Sequence, residues 1–502
     1  MMKHTLATLG LGDLSHFGPS PDVDAEITGL CVDSRETKEG FVFFAIKGEA
    51  LDGAEFAQFA VRLGASAIVA TEEGAATAKA AIGDFPIPFL ISENPRALLA
   101  QAAARFYPGQ PQTIVAVTGT NGKTSVASFV RQIFTACGCR AVNFGTIGVE
   151  GAIRAPLSHT TPEPITLHRL LDELAGEGVT HAAMEASSHG LAQHRLDGVH
   201  LAGAAFTNIT RDHLDYHATP EEYLDAKMRL FADLSPEGAP AVLNADDLSF
   251  ERAKDVALAS GLNVIPFGRD PICDRGLRLW DARFDAEGQE LDLTWLGDPI
   301  SVRLDLIGGF QGLNVMAAAA LAMGVGESPA QVFASLPALG GVRGRMEHVA
   351  SRANGAGIYV DYSHTPDGLA TALAALRLHT PGRLLCVFGA GGDRDPGKRP
   401  MMGAAAASGA DAVIVTDDNP RTEDPAPIRA AIMGACPNGV EIGDRAEAIL
   451  TGVDALSPDD RLLIAGKGHE TGQIVGAETI PFDDAEQARA AVLALEGDEL
   501  DG

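Results

Sequence analysis

Short apolar runs, each bounded by Gly, Pro, Asp or Asn, recur along the chain between stretches whose apolar residues return every three or four positions. FVFFAI (41–46), ASAIVAT (65–71) and PFLIS (88–92) predict strands set among Gly- and Ala-rich helices. TIVAVT (113–118) predicts a buried strand. Val126, Phe129, Val130, Ile133 and Phe134 then mark one apolar face of a helix that stops at Gly138. HAAMEA (181–186), AGAAFTNI (202–209) and AVLNADD (241–247) predict three further strands. In the last third, IYVDY (358–362), LLCVFG (384–389), AVIVTD (412–417) and LLIAG (462–466) alternate with helical segments. They end in the polar loops YSHTPD, GAGGDRD, DDNPR and GKGHE. Parallel strands alternating with helices place such loops on one edge, where open α/β sheets bind ligands.

Turn-rich YPGQP (107–111) and a composition shift near GGVRG (340–344) divide this pattern. The expectation is an α/β protein of three domains. They are a small N-terminal α/β domain (1–108), a central P-loop-like parallel-sheet domain (109–341) and a C-terminal Rossmann-like α/β domain (342–502).

Composition narrows the function classes. With 38 basic and 67 acidic residues the net charge is −29, which disfavours nucleic acid and anionic membranes as partners. Any anionic ligand must meet a local positive site. No apolar run reaches membrane-spanning length and MMKHTLATLGL lacks a signal pattern, so a cytoplasmic chain is expected. Among six cysteines the one close pair, Cys137-Gly-Cys139, lacks a second pair for a zinc site, so plain reduced thiols are expected.

VAVTGTNGKTS (115–125) ends as a phosphate loop, although Val117 replaces the first glycine of the usual pattern. Gly119 and Gly122 would let backbone N–H groups close on a phosphate. Lys123 would reach the terminal phosphates and Thr124 could ligate Mg²⁺. The alternative is a Gly-rich turn with a solvated lysine. GAGGDRD is no dinucleotide fingerprint, because Arg394 stands where the third glycine is needed; NAD is excluded. Thr219-Pro-Glu-Glu222 predicts a capped helix whose stripe of Tyr223, Leu224, Met228 and Phe231 includes Lys227. Spacing alone favours a lysine that snorkels to water. A desolvated lysine would instead be neutral and able to add CO₂ as a carbamate. Glu185 and His213 read singly as satisfied polar residues; with Thr124 they make an oxygen and nitrogen set suited to Mg²⁺.

GTNGKT, EASSHGL (185–191), TNITRDHLDYH (207–217), the lysine helix, QGLNVMAA (311–318), GRME (344–347), DYSHTPD (361–367), DNPR (418–421) and GKGHE (466–470) together resemble the Mur ligases. The likeness runs in order from Asp33-Ser-Arg35 to Glu470 and is nearest to the members that add the third peptide residue. It implies ATP-dependent joining of meso-diaminopimelate to UDP-N-acetylmuramoyl-L-alanyl-D-glutamate through an acyl phosphate, by a monomer. It implies catalytic Lys123, Lys227, His213 and Glu185. Two Mg²⁺ are implied, with Thr124, Glu185, His213 and carbamylated Lys227 as ligands. ATP would meet Gly119, Thr120, Asn121, Gly122, Lys123, Thr124 and Ser125, with Asn314, Arg345, Asp361, Tyr362 and His364 at the adenosine. Ser34, Thr160, Thr161, Ser187, Gln193 and Arg195 would hold the UDP-muramoyl dipeptide. Arg394, Asp418, Asn419, Pro420, Arg421, Gly466 and Glu470 would hold diaminopimelate, Glu470 facing its distal ammonium.

Without the resemblance, Asp33-Ser-Arg35 reads as a surface turn, Thr160-Thr161-Pro as a loop into a helix, Asn314 as a helix cap and Arg345 as a hinge salt bridge. In DNPR, an Asn-Pro turn with Asp424 as helix cap and Pro425 at the first helical position leaves Arg421 without a structural role. Diaminopimelate exceeds lysine by one carboxylate, which arginine can bind bidentately. A gain of roughly 1.5–3 kcal/mol would favour it about 10- to 100-fold. The rivals are a lysine-adding Mur ligase, a ligase like folylpolyglutamate synthase, and a regulatory P-loop protein.

Overall fold

A computed structural model describes residues 3–48, 51–157, 159–210 and 216–497. It comprises two compact units, Met1–Phe267 with Ala317–Val332, and Gly268–Met316 with Phe333–Gly502.

The first unit holds two sheets. The smaller runs in the order His16–Phe17, Phe89–Ile91, Ala67–Ala70, Phe41–Phe44, Gly29–Cys31, parallel except for the first strand. Its strands are apolar at successive positions because both faces are covered. Val42, Phe44, Val69 and Leu90 enter one core cluster, Phe43, Ile68 and Phe89 the other.

In the larger sheet Thr113–Thr118 lies between His181–Glu185 and Leu201–Phe206. Pro240–Asn244 and Asn263–Gly268 extend one side, Ala141–Gly145 and Gly148–Gly151 the other. All pairs among these strands are parallel except the last hairpin. The register sets Val117 opposite Glu185 and Thr118 opposite Phe206, so the phosphate loop, Glu185 and Thr207 leave the sheet at one carboxyl edge. Helix Lys123–Ala136 buries its predicted stripe and closes before Gly138, whose φ is +91°. The 107–111 connector is fastened down: Gly109 N–H donates to Asp172, and the Gln110 amide donates to the Gly198 carbonyl.

Helix Pro220–Arg229 begins as predicted, with Thr219 Oγ1 accepting from Glu222 N–H. The Glu222 carboxylate reaches back one residue further than a capping box requires, to Ala218 N–H. The helix then widens into a π turn at Leu230–Leu234, where Ser235 Oγ donates to the Leu230 carbonyl.

The second unit opens with an antiparallel meander, Leu277–Phe284, Gln289–Trp295 and Asp298–Leu304, which the sequence pattern did not disclose. Leu277, Leu279, Leu291, Leu293, Val302 and Leu304 are its buried apolar side chains. Its turn is held by Asp285 Oδ1, which accepts from Glu287 and Gly288 N–H. A second sheet then runs Glu347–Ser351, Gly357–Asp361, Arg461–Ala465, Leu384–Phe388, Ala412–Val415, Val440–Glu441, parallel beyond the first strand. Asp361 and Phe388 both register with Ala465, so the four polar loops share one edge as expected.

That edge is braced by a fully buried ion pair. The Arg445 guanidinium donates twice to Asp484, at 2.7 Å each, and reaches the Ala465 carbonyl at 3.0 Å. Removing one member strands the other charge in a dry interior. Arg445→Ala should therefore cost the second unit about 3–5 kcal/mol in urea unfolding, and Arg445→Met with Asp484→Leu should recover most of it. A loss below about 1 kcal/mol in the single variant would show that the pair is not desolvated.

Candidate active site

In the first unit the phosphate loop is shaped by two positive-φ glycines, Gly119 at +145° and Gly122 at +88°. A Cβ on Gly119 would stand 2.0 Å from Thr207 Oγ1, so only glycine lets the loop settle here. The 207–210 segment holds the loop from outside. Thr120 N–H donates to the Asn208 carbonyl, Asn121 N–H to Asn208 Oδ1, and Thr207 Oγ1 to the Asn121 carbonyl. Ser125 is buried in the helix's first turn.

Lys123 Nζ donates to the Gly119 and Thr120 carbonyls at 2.9 and 2.8 Å. Lys227 Nζ donates to the same Gly119 oxygen at 2.7 Å. Lys227 is 1% exposed and lies 4.3 Å from the centre of the Tyr223 ring, so the snorkelling that its spacing favoured does not occur. Two ammonium groups on one carbonyl oxygen repel each other and favour an anion between them or loss of a charge.

Thr124 Oγ1 donates to Glu185 Oε2 at 2.9 Å, and Thr146 N–H donates to Glu185 Oε1. Glu185 is buried, and a Cβ on Gly145 would lie 2.0 Å from its Oε1. His213 falls outside the described residues.

The residues expected at the muramoyl ligand divide. Thr160 Oγ1 meets Thr146 Oγ1, while buried Thr161 links Glu185 to Ser187 and accepts Arg195 Nη1 at its carbonyl. Ser187 caps helix Ser188–Ala192, and Arg195 is clamped onto Gln193 Oε1. The loop does lead into a helix, Pro164–Gly176, capped by Glu163. Burial, then the nearby Arg96, holds the Arg195 guanidinium below its ordinary range, so this pocket gathers two cations. Ser34 belongs to the small sheet's side of the unit. It is buried in a short turn capped by Asp33, which pairs with Arg35.

In the second unit Asn314 lies within helix Gly309–Gly324 and is no helix cap; its amide donates to Gln311 Oε1. Gln311 Nε2 reaches the Arg345 carbonyl. The Arg345 guanidinium lies 4.5 Å over the Tyr362 ring, a stack where a hinge salt bridge was the plain alternative. Asp361 accepts from Met346 N–H and Ser363 N–H, fixing Tyr362 and His364 beside it.

Asn419 binds Glu470 Oε2 through its amide and accepts Lys467 Nζ and Ile474 N–H at Oδ1. Buried Asp418 abuts Gly466, whose φ is +115° and whose added Cβ would meet Asp418 Oδ2 at 2.5 Å. Asp424 and Pro425 cap helix Pro425–Met433 as read from sequence. Arg421, by contrast, is tied into the structure. Its Nη1 donates to the Gly392 carbonyl at 2.7 Å, and its backbone, at φ +54°, pairs with Ile474 and Gly476. Pro420 lies before it in that turn, its carbonyl against Gly392.

Sequence reasoning missed three side chains here. Lys467 is buried among Asn419, Glu470 and the Gly472 carbonyl. Lys398 Nζ donates to the His364 carbonyl. Burial holds its ammonium below the usual range; Asp418 opposes that, and Arg394 and Arg421 reinforce it. His469 stacks on Tyr362, and burial, then Arg345 and Arg343, lowers it to about 4. The positions of Lys398, Lys467 and His469 inside the polar loops GAGGDRDPGK and GKGHE were the only available signal. Arg394, Arg421, Asp418 and Asp395, which all act on Lys398, can with Glu470 receive a ligand that carries carboxylates and an ammonium.

Known proteins show the same arrangement of parts. Residues 26–107 match the Mur ligase family catalytic domain, 117–322 the Mur ligase middle domain and 344–468 the Mur ligase glutamate ligase domain. A UDP-N-acetylmuramoyl-L-alanyl-D-glutamate–2,6-diaminopimelate ligase of Bradyrhizobium diazoefficiens is 52% identical over 469 residues, covering 93% of this chain and 95% of its own. The solved structure of a ligase of that name aligns with a TM-score of 0.72 at 31% identity, over 99% of this chain and all of the other. A Thermotoga maritima MurF ligase in complex with ADP shares the fold, with TM-score 0.61, 19% identity and coverage of 94% and 98%.

His469 generates a pH dependence. Its folded pKa lies below its unfolded value, so between about pH 6.5 and 4 the unfolded chain holds a proton that the native unit lacks, and stability rises with pH. Going from pH 7 to 5 should therefore cost the wild-type second unit about 1–2 kcal/mol more than a His469→Gln variant, read from urea midpoints. Equal losses would mean that His469 titrates normally.

Proposed function

We propose that this chain, which belongs to the Mur ligase family, joins meso-diaminopimelate to the D-glutamyl carboxylate of UDP-N-acetylmuramoyl-L-alanyl-D-glutamate. ATP is the co-substrate, and the product is a peptidoglycan precursor. The observation that carries the choice of amino acid is the cluster of Arg394, Arg421, Asp418 and Asp395 about Lys398, with Glu470 held by Asn419 and Lys467. Lysine would leave the arginines without their carboxylate.

A carboxylate is a weak nucleophile and hydroxide a poor leaving group, which is why ATP is spent. The substrate carboxylate attacks the γ-phosphorus and ADP leaves. The incoming amine then adds to the acyl phosphate, and phosphate departs from the tetrahedral intermediate. The chain chiefly positions groups and neutralises charge. The loop N–H groups not already taken by Asn208 would face the phosphates, and Lys123 could move from its two carbonyls to the γ-oxygens. Arg195, with Thr161, Ser187 and Gln193, would fix the muramoyl dipeptide, with Ser34 and Thr160 contributing. Asn314, Arg345, Asp361, Tyr362 and His364 would receive the adenosine.

The donor set fits magnesium, since the Thr124 hydroxyl sits on a buried carboxylate and both offer hard oxygens. Bound there, Mg²⁺ would neutralise charge on the phosphoryl oxygens. Two ions are proposed, with His213 and Lys227 as further ligands. The shared Gly119 oxygen supports carbamylation of Lys227: the neutral amine adds CO₂, releases one proton and becomes a carboxylate, which turns its repulsion with Lys123 into attraction.

In this reading residues 1–108 serve the UDP-sugar, 109–341 ATP and 342–502 the amino acid. The protein is proposed to act as a monomer. Six free thiols and an ATP-linked reaction suit the cytoplasm. No described helix is long and apolar enough to cross a membrane.

Supplied with the dipeptide and ATP, the protein should turn over meso-diaminopimelate about 10- to 100-fold better than lysine in kcat/KM, measured by ADP release. Arg421→Ala should erase that preference and leave the KM for ATP unchanged; equal wild-type rates would sink the assignment. Lys227→Ala should lose at least about 100-fold in kcat, with partial rescue by added formate or acetate. Full activity in that variant would dispose of the carbamate.

A further inference from the structure

Four side chains that this reaction does not use meet in the first unit, at the far end of the strand that carries Glu185. Cys137 and Cys139 follow the last turn of helix Lys123–Ala136, His181 opens strand His181–Glu185, and Glu327 follows helix Gly309–Gly324. Cys139 Sγ lies 3.7 Å from His181 Nε2 and 3.6 Å from Glu327 Oε1; His181 Nε2 lies 3.6 Å from that same oxygen. Among the described residues these three form a group able to hold a metal ion. We propose that Cys139, His181 and Glu327, completed by Cys137, bind a thiophilic divalent cation such as Zn²⁺.

The triangle has the right size. Zn–S near 2.3 Å, Zn–N near 2.0 Å and Zn–O near 2.1 Å, set tetrahedrally, give ligand–ligand edges of about 3.4–3.6 Å. The three separations match those edges before any side chain moves. The donor chemistry agrees as well, since thiolate, imidazole and carboxylate are the ligands zinc takes. His181 Nδ1 hydrogen-bonds Thr180 Oγ1 at 2.9 Å, which orients the ring and leaves Nε2 for the metal, as outer partners of metal-bound histidines do. Burial holds the imidazole below its usual range, so it is neutral and ready to ligate at pH 7. Cys137 also acts on the Glu327 carboxylate; it stands outside the triangle and would turn in to complete the set.

Both thiols are pushed up to about 11, by burial first and then by Glu327. The metal-free cluster is therefore a protonated one, in which the carboxylate accepts from S–H. Binding forms two metal–sulfur bonds and releases the two thiol protons to solvent; no oxidant or reductant takes part. Affinity must fall as the pH is lowered. The C-x-C pair excludes a zinc site only if its partners must also be cysteines. Here the fold brings a histidine from 42 residues away and a glutamate from 188 away.

The site is distinct from the nucleotide site: His181 and Glu185 stand at opposite ends of one strand, about 13 Å apart along it. A metal there would fasten a helix end, a strand start and the 325–327 turn, which no chain connection joins directly.

The test uses the full-length protein, stripped with a chelator under anaerobic conditions and titrated with Co²⁺. One equivalent should produce a thiolate-to-cobalt charge-transfer band and the intense visible bands of tetrahedral cobalt, both bleached by Zn²⁺. Cobalt at a magnesium site has only oxygen and nitrogen ligands and gives no thiolate band, so the two sites are told apart. Cys139→Ser should weaken the band and Cys137→Ser with Cys139→Ser should abolish it, and His181→Ala or Glu327→Gln should weaken binding at least tenfold, with far-UV circular dichroism unchanged. No thiolate band in the wild type, or a band that survives Cys137→Ser with Cys139→Ser, would overturn the proposal.

Discussion

One carbonyl oxygen organises the first unit. Gly119 O receives both Lys123 and Lys227, from two helices whose residues are far apart in sequence, and it does so at the carboxyl edge of a parallel sheet. Two ammonium groups meet on that oxygen, and Lys123 shares the Thr120 carbonyl as well. Buried Glu185 lies nearby on Thr124, and Thr207 closes the loop from behind. The arrangement is stable as a receiver of polyanions. In a chain of net charge −29, this concentration of positive charge gives an anionic substrate a local reason to dwell.

The second unit solves the converse problem. In the proposed role its loops present opposite charges to one small zwitterionic ligand without collapsing onto each other. Asn419 bridges Lys467 and Glu470 and fixes both, while Arg445 and Asp484 anchor the sheet edge from below. Lys467 and Arg445 are engaged with Glu470 and Asp484, while Arg394 stays exposed and Arg421 donates to the Gly392 carbonyl. A rigid lower layer lets the upper one stay only partly neutralised.

Much of this was legible in the chain. The continuous apolar runs 41–46 and 113–118 announce strands covered on both faces, and the four polar loops after 361, 388, 415 and 465 announce a shared edge. What stayed hidden depends on partners distant in sequence. Lys227 looked like a snorkelling residue because nothing near it reveals that the Gly119 carbonyl, 108 positions earlier, will meet it. Arg421 looked idle because its acceptor is a backbone oxygen at Gly392. The 277–304 meander went unread because its strands carry charges on the solvent face, including Arg283 with Asp292 and Arg303 with Asp285, which blur the alternation. His469 and Lys398 were visible as loop residues, but their desolvation is a property of the packed unit.

Arg421 adopts a left-handed backbone conformation that costs an arginine of order 1 kcal/mol. The hairpin Gly472–Val475 with Glu478–Pro481 holds it there, through Ile474 and Gly476. Amino-acid choice is thus not a portable four-letter word. Grafting DNPR onto a relative that lacks this hairpin would transfer the side chain without its direction. On the proposed role of Arg421, a change of amino-acid specificity would require revising both segments together.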